Sequence, residues 1–431
     1  MIKRRCAIGV LAGTLASLAL APLAACSAKP AAGHGPVEIP FWSNQAGAGP
    51  AETKNMKTMI ADFNASQTSY RVTWRTYPFD SYNTTVQSAA AAKKLPCLLA
   101  VDQPVVPNWA WAGYLAPLDL PKELTGQLIP GARGEYDGKV YSVGYWDAVL
   151  SVMARRSVLK TYGIRVPTLA KPWTGQEFDA ALAKIKTGGT YKAPLILGDP
   201  SGNGASYPFP PILSSFGGDL IDRGDYQSAK GVLDGPAAQE FGTWIQGLAK
   251  RGLISTSTAQ GSPFLDGTVA MAWNGNWDAT AALAKYGDDM LFLPPPDFGH
   301  GIRTAAGSIG FGVTTGCTAE QKRGAQQYLK LTLDPKYIAR FSTTQGVVPS
   351  TAAAASIAKD YAPGGRLSVL TELTQKHAQV RPATPAFPVI DTVFNKAVGD
   401  IIAGADVKST LSRAASDIDR NISSNHGYRS R

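Results

Sequence analysis

The chain of 431 residues is 44% hydrophobic and 17% charged, which is enough apolar material for two compact domains and excludes a disordered chain. Its 44 Gly and 30 Pro are typical of a loop-rich α/β protein and not of a coiled coil. The formal net charge of +10 comes without a run of five Lys or Arg and without a nucleic-acid-binding motif. We therefore expect no nucleic-acid partner.

The N-terminus has the pattern of an export signal. Three basic residues at 3–5 precede an apolar stretch at 7–20, and small residues precede Cys26. The apolar stretch is shorter than the roughly 20 residues of a membrane span. The pattern resembles a bacterial lipoprotein signal peptide, which predicts a signal over residues 1–25 and a lipid-anchored tether over 26–36. The protein would then be extracytoplasmic and held at the cell membrane by lipid on Cys26; an ordinary secretory signal with a chance cysteine is the alternative.

Export also affects how the remaining cysteines are interpreted. Cys6 would be lost with the signal and Cys26 would be lipidated, which leaves Cys97 and Cys317. In an oxidising compartment two such cysteines can pair, but they can equally be buried free thiols. The sequence leaves both possibilities open.

From residue 37 onward, strand-like and helix-like segments alternate. The pattern predicts strands at 37–42, 71–77 and 98–101 and helices at 51–66 and 81–92. This order is typical of a largely parallel sheet covered by helices on both faces. A chain of this length with two such halves predicts two lobes, with the ligand between them at the carboxyl ends of the strands.

Short motifs in a fixed order make the prediction more specific. They include FWS at 41–43, YDGKVYSVGY at 136–145, FLDGTVAM at 264–271, NGNW at 274–277 and GVVP at 346–349. Together they resemble the extracellular solute-binding proteins of carbohydrate ABC importers, the family with the layout of maltose-binding protein.

This resemblance implies a type II periplasmic-binding-protein-like fold, with two lobes joined by a hinge of three crossings. Each lobe would be a mostly parallel sheet flanked by helices. Lobe 1 would comprise residues 37–149 and 309–344, and lobe 2 residues 150–308 and 345–431. On this division Cys97 and Cys317 fall in the same lobe, which permits a disulfide between them.

The implied function is that of a receptor and not of an enzyme. It would capture a sugar or oligosaccharide between the lobes by hinge closure and deliver it to the permease subunits of an ABC importer. The protein would act as a monomer and would need no metal or cofactor.

A sugar presents a C–H face, which binds flat aromatic rings, and a rim of hydroxyls, which binds planar polar side chains. The candidate ligand-binding residues are Trp42, Ser43, Asn44, Gln45, Asp102, Tyr145, Trp146, Asp147, Asn276, Trp277, Gly307, Ser308 and Arg381. The resemblance suggests the last four. Of the others, some follow the first and third predicted strands, some lie next to the first crossing, and Asn276 lies in a Gly-punctuated turn. Core packing is the alternative for the tryptophans, and capping or solvation for the carboxylates. Trp74, in an apolar strand, is expected in the core.

Three other functions are alternatives. An exported glycosidase would also place carboxylates beside aromatic rings, but the chain has no G-x-S-x-G or H-E-x-x-H motif and only four scattered His. A receptor of the same fold could instead bind a glycerophosphodiester, a polyol or an amino sugar. An adhesin or scaffold would need no closing motion, which the hinge motifs speak against.

Overall fold

The computed structural model describes residues 35–44, 50–197, 207–255 and 262–429. The predicted signal peptide, the predicted lipidation site Cys26 and the candidate ligand-binding residue Gln45 lie outside these residues. Within them, none of the helices combines the length and the apolar character that are needed to cross a bilayer.

The strands are short and most of them carry buried apolar side chains. They are β1 (Val37–Asn44), β2 (Tyr70–Tyr77), β3 (Leu98–Asp102), β4 (Arg133–Tyr136), β5 (Lys139–Val143), β6 (Trp146–Asp147), β7 (Leu150–Arg155), β8 (Ala193–Leu197), β9 (Ile254–Ser255), β10 (Val269–Gly275), β11 (Met290–Leu293), β12 (Thr304–Ala306), β13 (Ile309–Val313), β14 (Val348–Pro349) and β15 (Ala378–Val380).

The longer helices bury one apolar face, and several begin at a capping side chain such as Thr174 or Asp406. The helices are α1 (Pro50–Ser66), α2 (Phe79–Ala91), α3 (Val106–Trp111), α4 (Lys122–Thr125), α5 (Arg156–Thr161), α6 (Gly175–Thr187), α7 (Phe209–Ser215), α8 (Pro236–Lys250), α9 (Ala279–Tyr286), α10 (Ala319–Thr332), α11 (Pro335–Gln345), α12 (Ala352–Ile357), α13 (Ser368–Lys376), α14 (Phe387–Ile402) and α15 (Val407–Ser424).

Two separate sheets form the centres of the two lobes. The first has the strand order β2-β1-β3-β13-β5-β4 and the second the order β11-β7-β10-β8-β9. In the first sheet β1 runs parallel to β2 and β3, and in the second β8 runs parallel to β10 and β9. The predicted two-lobed α/β fold is confirmed.

Both sheets are mixed, so parallel pairing is less general than the sequence suggested. β13 is antiparallel to β3 and β5, and β7 is antiparallel to β10 and β11. The reason is topological: β7 and β13 each follow a passage of the chain from the other sheet, without the covering helix that a parallel connection requires. β4 and β5 are antiparallel because they form a hairpin, whose turn residues Asp137 and Gly138 both have positive φ.

Three short segments carry the chain between the two sheets. Residues 144–149 lead from β5 to β7, residues 304–308 lead into β13, and residues 346–350 connect α11 with α12. The first and third segments pair with each other through β6 and β14. We call these segments the first, second and third crossing. The lobe boundaries predicted above remain a prediction.

Cys97 and Cys317 form a disulfide in the structure, with their Cα atoms 4.6 Å apart. Cys97 immediately precedes β3, and Cys317 follows the end of β13. The antiparallel pairing of these strands, in which Leu98 lies opposite Val313, brings the two cysteines together. The bond therefore joins parts of the first sheet that are 220 residues apart in the sequence.

Candidate functional site

A cavity of ≈ 280 Å³ lies at the carboxyl ends of β1 and β2, beside the first crossing. Parallel strands and the amino end of antiparallel β13 reach this edge of the sheet together, which is why residues distant in sequence meet here. Its lining residues are Ser43, Asn44, Glu52, Thr53, Met56, Lys57, Trp74, Thr76, Ala100, Tyr145, Trp146, Ile309 and Phe311. The sequence predicted four of them as ligand-binding: Ser43, Asn44, Tyr145 and Trp146.

Aromatic rings form a large part of the cavity wall, and neighbouring side chains hold each of them. The indole N–H of Trp74 donates to the hydroxyl of Ser43 at 2.8 Å. Tyr145 is buried, and its ring lies 4.5 Å from that of Phe341. Trp146 is half-buried and stacks on Phe341, with the ring centres 6.2 Å apart. These rings are thus fixed before any ligand arrives.

Trp74 packs against the core, as the sequence predicted, but it also lines this cavity, which the sequence did not predict. It shares a face of β2 with the buried Val72, but it stands two residues further along the strand, at the end where the cavity opens. Trp42, by contrast, does not line the cavity. Because side chains alternate along β1, its ring lies away from Ser43 and packs 4.9 Å from the ring of Tyr77.

Glu52 lines the cavity, although it is not among the ligand-binding residues predicted from the sequence. It lies in the first turn of α1, directly after the polar loop that follows β1. Burial raises the pKa of its carboxyl group to about 7. A glutamate in the first turn of a helix that follows a strand end was the available signal, but such residues are also ordinary helix-terminal charges.

The first and second crossings meet at Asp147, which is fully buried. Its Oδ1 accepts hydrogen bonds from the backbone N–H of Ala148 at 2.8 Å and of Gly307 at 2.9 Å. Its Oδ2 is buried and has no hydrogen-bond partner in the described part of the chain. Burial raises the pKa of Asp147 to about 7, against the opposing effect of these two N–H groups. Gly131 packs directly on the carboxylate, since a Cβ there would lie 2.1 Å from Oδ2.

Asn276 is a second buried residue at the crossings. Its side-chain oxygen accepts from the backbone N–H of Val149 at 3.1 Å, and its backbone N–H donates to the carbonyl of Val149 at 3.0 Å. Asn276 follows β10 of the second sheet and Val149 ends the first crossing. The contact therefore fixes the crossing to the second lobe and leaves Asn276 without exposure to solvent.

Arg381 forms an ion pair with Asp102 at 2.9 Å and is only 8% exposed. Asp102 ends β3 of the first sheet, whereas Arg381 follows β15, which pairs with β12 of the second crossing. The guanidinium also lies 5.0 Å from the ring centre of Tyr207, a cation–π distance. A hydrogen bond also connects these two parts of the chain: the side-chain amide of Asn108 donates to the carbonyl of Pro385 at 2.8 Å.

Several buried polar atoms around Gly307 have no hydrogen-bond partner among the residues that the structure describes. They are Gln103 Oε1, Asp147 Oδ2, Tyr207 OH, Ser308 Oγ and Arg381 Nε. Gly307 has a φ of +119°, a conformation that favours glycine, and a Cβ there would lie 3.3 Å from Gln103 Oε1 and 3.4 Å from an Arg381 nitrogen. Buried polar atoms are normally hydrogen-bonded, and these donors and acceptors are suited to hydroxyl groups.

Trp277 is 42% exposed and lies 5.9 Å from the ring of Tyr207. Its ring packs directly on Gly275, where a Cβ would come within 1.9 Å of it. Tyr207 thus connects Trp277 with Arg381 and the other side chains with unpartnered polar atoms around Gly307. It was also missed, because no local pattern around Tyr207 distinguishes it from a core aromatic residue.

The candidate residues therefore form two sets. Ser43, Asn44, Tyr145 and Trp146 line the cavity, and Asp102, Asp147, Asn276, Gly307, Ser308 and Arg381 surround the crossings. Trp277 reaches the second set through Tyr207, and Trp42 belongs to neither set. Among the described residues, no three His, Cys, Asp or Glu side chains come together as they would at a metal site.

Comparison with known proteins places this architecture in a family. Residues 58–363 match the family model described as "Bacterial extracellular solute-binding protein". An uncharacterized lipoprotein in the oleD 5' region of Streptomyces antibioticus is 22% identical over 350 residues, which cover 78% of this chain and 76% of that protein.

Two solved structures are similar over nearly their whole length. The cyclic α-maltosyl-1,6-maltose binding protein of Arthrobacter globiformis has a TM-score of 0.75 at 22% identity, covering 90% of this chain and 99% of that one. The GacH receptor of Streptomyces glaucescens, solved unliganded and with acarbose, has a TM-score of 0.73 at 20% identity, covering 90% and 98%. At these identities the likeness establishes the fold alone. Because the family model matches well over half of its residues, the chain belongs to the bacterial extracellular solute-binding proteins.

Proposed function

We propose that this protein is the sugar-binding lipoprotein of an ABC importer. It captures a sugar or oligosaccharide between its lobes by hinge closure and delivers it to the permease subunits. The observation that carries the proposal is the adjacency of two surfaces: the aromatic cavity around Trp74 and Trp146, and the unpartnered polar atoms around Gly307. The first suits the C–H face of a sugar ring and the second suits its hydroxyls.

The two surfaces meet along the crossings. Trp146 precedes Asp147 in the first crossing, and Ser308 precedes the cavity residue Ile309 at the end of the second. A ligand that lies across them contacts both lobes, and it makes the full set of contacts only when the lobes are close together. The ligand therefore shifts the equilibrium towards the closed state, by as much as its affinity for that state exceeds its affinity for the open one. This role requires no nucleophile, metal or cofactor, and we propose no catalytic activity.

The proposed location is the outer side of the cell membrane. The N-terminal pattern before Cys26 supports it, as does the lipoprotein from Streptomyces antibioticus among the relatives. In this proposal a lipid on Cys26 anchors the chain, residues 27–36 act as a tether, and the remainder works as a monomer beside the permease. The lobes would be residues 37–149 with 309–344, and 150–308 with 345–431.

The test is a thermal shift with a ligand panel on the chain from Ser27 onward, which contains the whole compact unit from Pro36 to Arg431. The panel comprises mono-, di- and oligosaccharides, polyols and glycerophosphodiesters. A ligand at 100 times its Kd adds about 2.7 kcal/mol to the free energy of unfolding. With about 2 cal/mol/K of unfolding entropy per residue, this raises the Tm by about 3 °C.

Two tryptophans provide a matched pair of variants. Trp74→Ala removes a ring from the cavity wall and should weaken sugar binding at least about tenfold, since an aromatic contact contributes roughly 1.5–3 kcal/mol. Trp42→Ala also removes an indole ring, but one on the other face of the sheet, away from the cavity. It should leave the Kd within about twofold. Equal effects of both variants, or shifts with glycerophosphodiesters only, would contradict the proposal.

A further inference from the structure

One charged side chain in the cavity has no role in the site described so far. Of the described residues that line the cavity, Glu52 is the acidic one and Lys57 the basic one. Glu52 lies in the first turn of α1 and is half-buried, whereas Lys57, more than a turn further along the helix, is exposed. Of the two charged residues, Glu52 is thus the more enclosed.

Nothing in the described part of the protein neutralises the Glu52 carboxylate. It has no ion pair or hydrogen bond with another described residue, and Lys57 does not lie within ion-pair distance of it. Burial alone accounts for its raised pKa, with no contribution from a neighbouring charge. An ionised carboxylate in such a place is costly until a positive group approaches it.

The surroundings of Glu52 are those that cations prefer. Trp74, Tyr145 and Trp146 line the same cavity, and the faces of such rings attract ammonium groups. A carboxylate beside aromatic faces can bind an amine by a charge-assisted hydrogen bond and a cation–π contact at the same time. A neutral hydroxyl in that position supplies neither the charge nor the cation–π contact.

We propose that the sugar bound in this cavity carries a cationic amine, and that Glu52 is the residue that selects it. The inference rests on the proposed function, since it assumes that a sugar occupies the cavity. The amine N–H donates to the Glu52 carboxylate while the sugar ring lies against the aromatic wall. Because Lys57 is exposed, water and salt screen its repulsion of the amine.

The test compares sugars that differ only in one substituent. Glucosamine, N-acetylglucosamine and glucose, each as the monosaccharide and as the β-1,4 and α-1,4 di- and trisaccharides, are titrated calorimetrically into the chain from Ser27 onward. The amine form should bind at least about tenfold more tightly than its acetamide and hydroxyl counterparts at pH 7. The variant Glu52→Gln should abolish this preference, whereas Glu240→Gln, at an exposed position of α8, should retain it.

The pH dependence of the wild type provides a test without any variant. Affinity for the amine form should fall roughly tenfold from pH 7 to pH 5.5, because the carboxylate becomes protonated. Among the described residues that line the cavity, the other titratable groups are Lys57 and Tyr145, and burial raises the pKa of Tyr145 well above its usual range. Affinity for a neutral sugar should change less than twofold over the same interval.

The outcomes separate this inference from the proposed function. If neutral sugars bind and the amine forms bind no more tightly, the inference is refuted but the proposed function as a sugar receptor is not. If the amine preference survives in Glu52→Gln, Glu52 is not the selecting residue. If no sugar of either kind binds in this titration or in the thermal-shift panel, both the inference and the proposed function are refuted.

Discussion

Replacing Asp147 by Asn should stabilise the protein at pH 8 relative to the wild type, and much less so at pH 5. The side-chain oxygen of Asn can still accept from the backbone N–H groups of Ala148 and Gly307. At the position of Oδ2, which is buried without a partner among the described residues, the variant carries an amide that cannot ionise. The two side chains have nearly the same shape, so the change is mainly one of charge.

The magnitude follows from the pKa of Asp147, which burial raises from 3.8 to about 7. Between these values the native state holds a proton that the unfolded chain releases, so the free energy of unfolding falls as the pH rises. The stability that the proton contributes is fully present below about pH 3.8 and is lost as the pH rises through about 7. At 1.36 kcal/mol per unit, the wild type loses about 3 kcal/mol between pH 5 and pH 8. The Asn variant does not lose it.

Calorimetric melting at pH 5, 6, 7 and 8 measures this difference. For a folded unit of about 400 residues the unfolding entropy is about 0.8 kcal/mol/K. A difference of about 3 kcal/mol therefore corresponds to about 3–4 °C, so the Tm of the variant relative to that of the wild type should rise by roughly this amount from pH 5 to pH 8. The buried amide has a cost of its own, but that cost does not depend on pH. Asp119→Asn, at an exposed loop position, is the control for the change of net charge. Parallel Tm curves for wild type and Asp147→Asn would refute the reasoning.

Three further changes test other parts of the structure. Cys97→Ser should lower the free energy of unfolding in urea by about 2–5 kcal/mol, and a reducing agent should destabilise only the wild type. Gly275→Ala forces the ring of Trp277 away, so it should weaken sugar binding in calorimetry about as much as Trp277→Ala does. Asp102→Asn leaves the buried guanidinium of Arg381 without its counter-charge. The variant should therefore lower the free energy of unfolding in urea by about 1–3 kcal/mol. An unchanged urea midpoint would show that the ion pair is energetically neutral.

The first elements of the fold follow from local patterns. The sequence predicts a helix over 51–66 and the structure has α1 at Pro50–Ser66. It predicts strands over 71–77 and 98–101, which become β2 at Tyr70–Tyr77 and β3 at Leu98–Asp102. These elements are predictable because their apolar residues recur with the period of the helix or strand that buries them. The pairing of strands after a crossing has no such signature.

The site is predictable only in part, because burial depends on residues that are far apart in sequence. Period-two alternation places Trp42 and Trp74 on definite faces of their strands, but it does not tell which face borders a cavity. The position of Asp147 was expected at a cleft. The structure encloses its carboxylate between Gly131 and the backbone of Gly307, which is 160 residues away. No pattern within one segment can reveal such a contact.

The arrangement at Asp147 has a consequence for how binding and hinge motion are connected. One carboxylate oxygen joins the first crossing to Gly307 of the second, and β6 joins the first crossing to the third through the pairing of Asp147 with Val348. The proposed ligand-binding residues Trp146 and Ser308 are the immediate neighbours of these joints in the chain. A rotation of the lobes that changes the crossings must therefore move the aromatic and the hydroxyl-binding groups together. Substitutions at Gly131 or Gly307 should alter the affinity for ligand even though neither residue has a side chain with which to bind it.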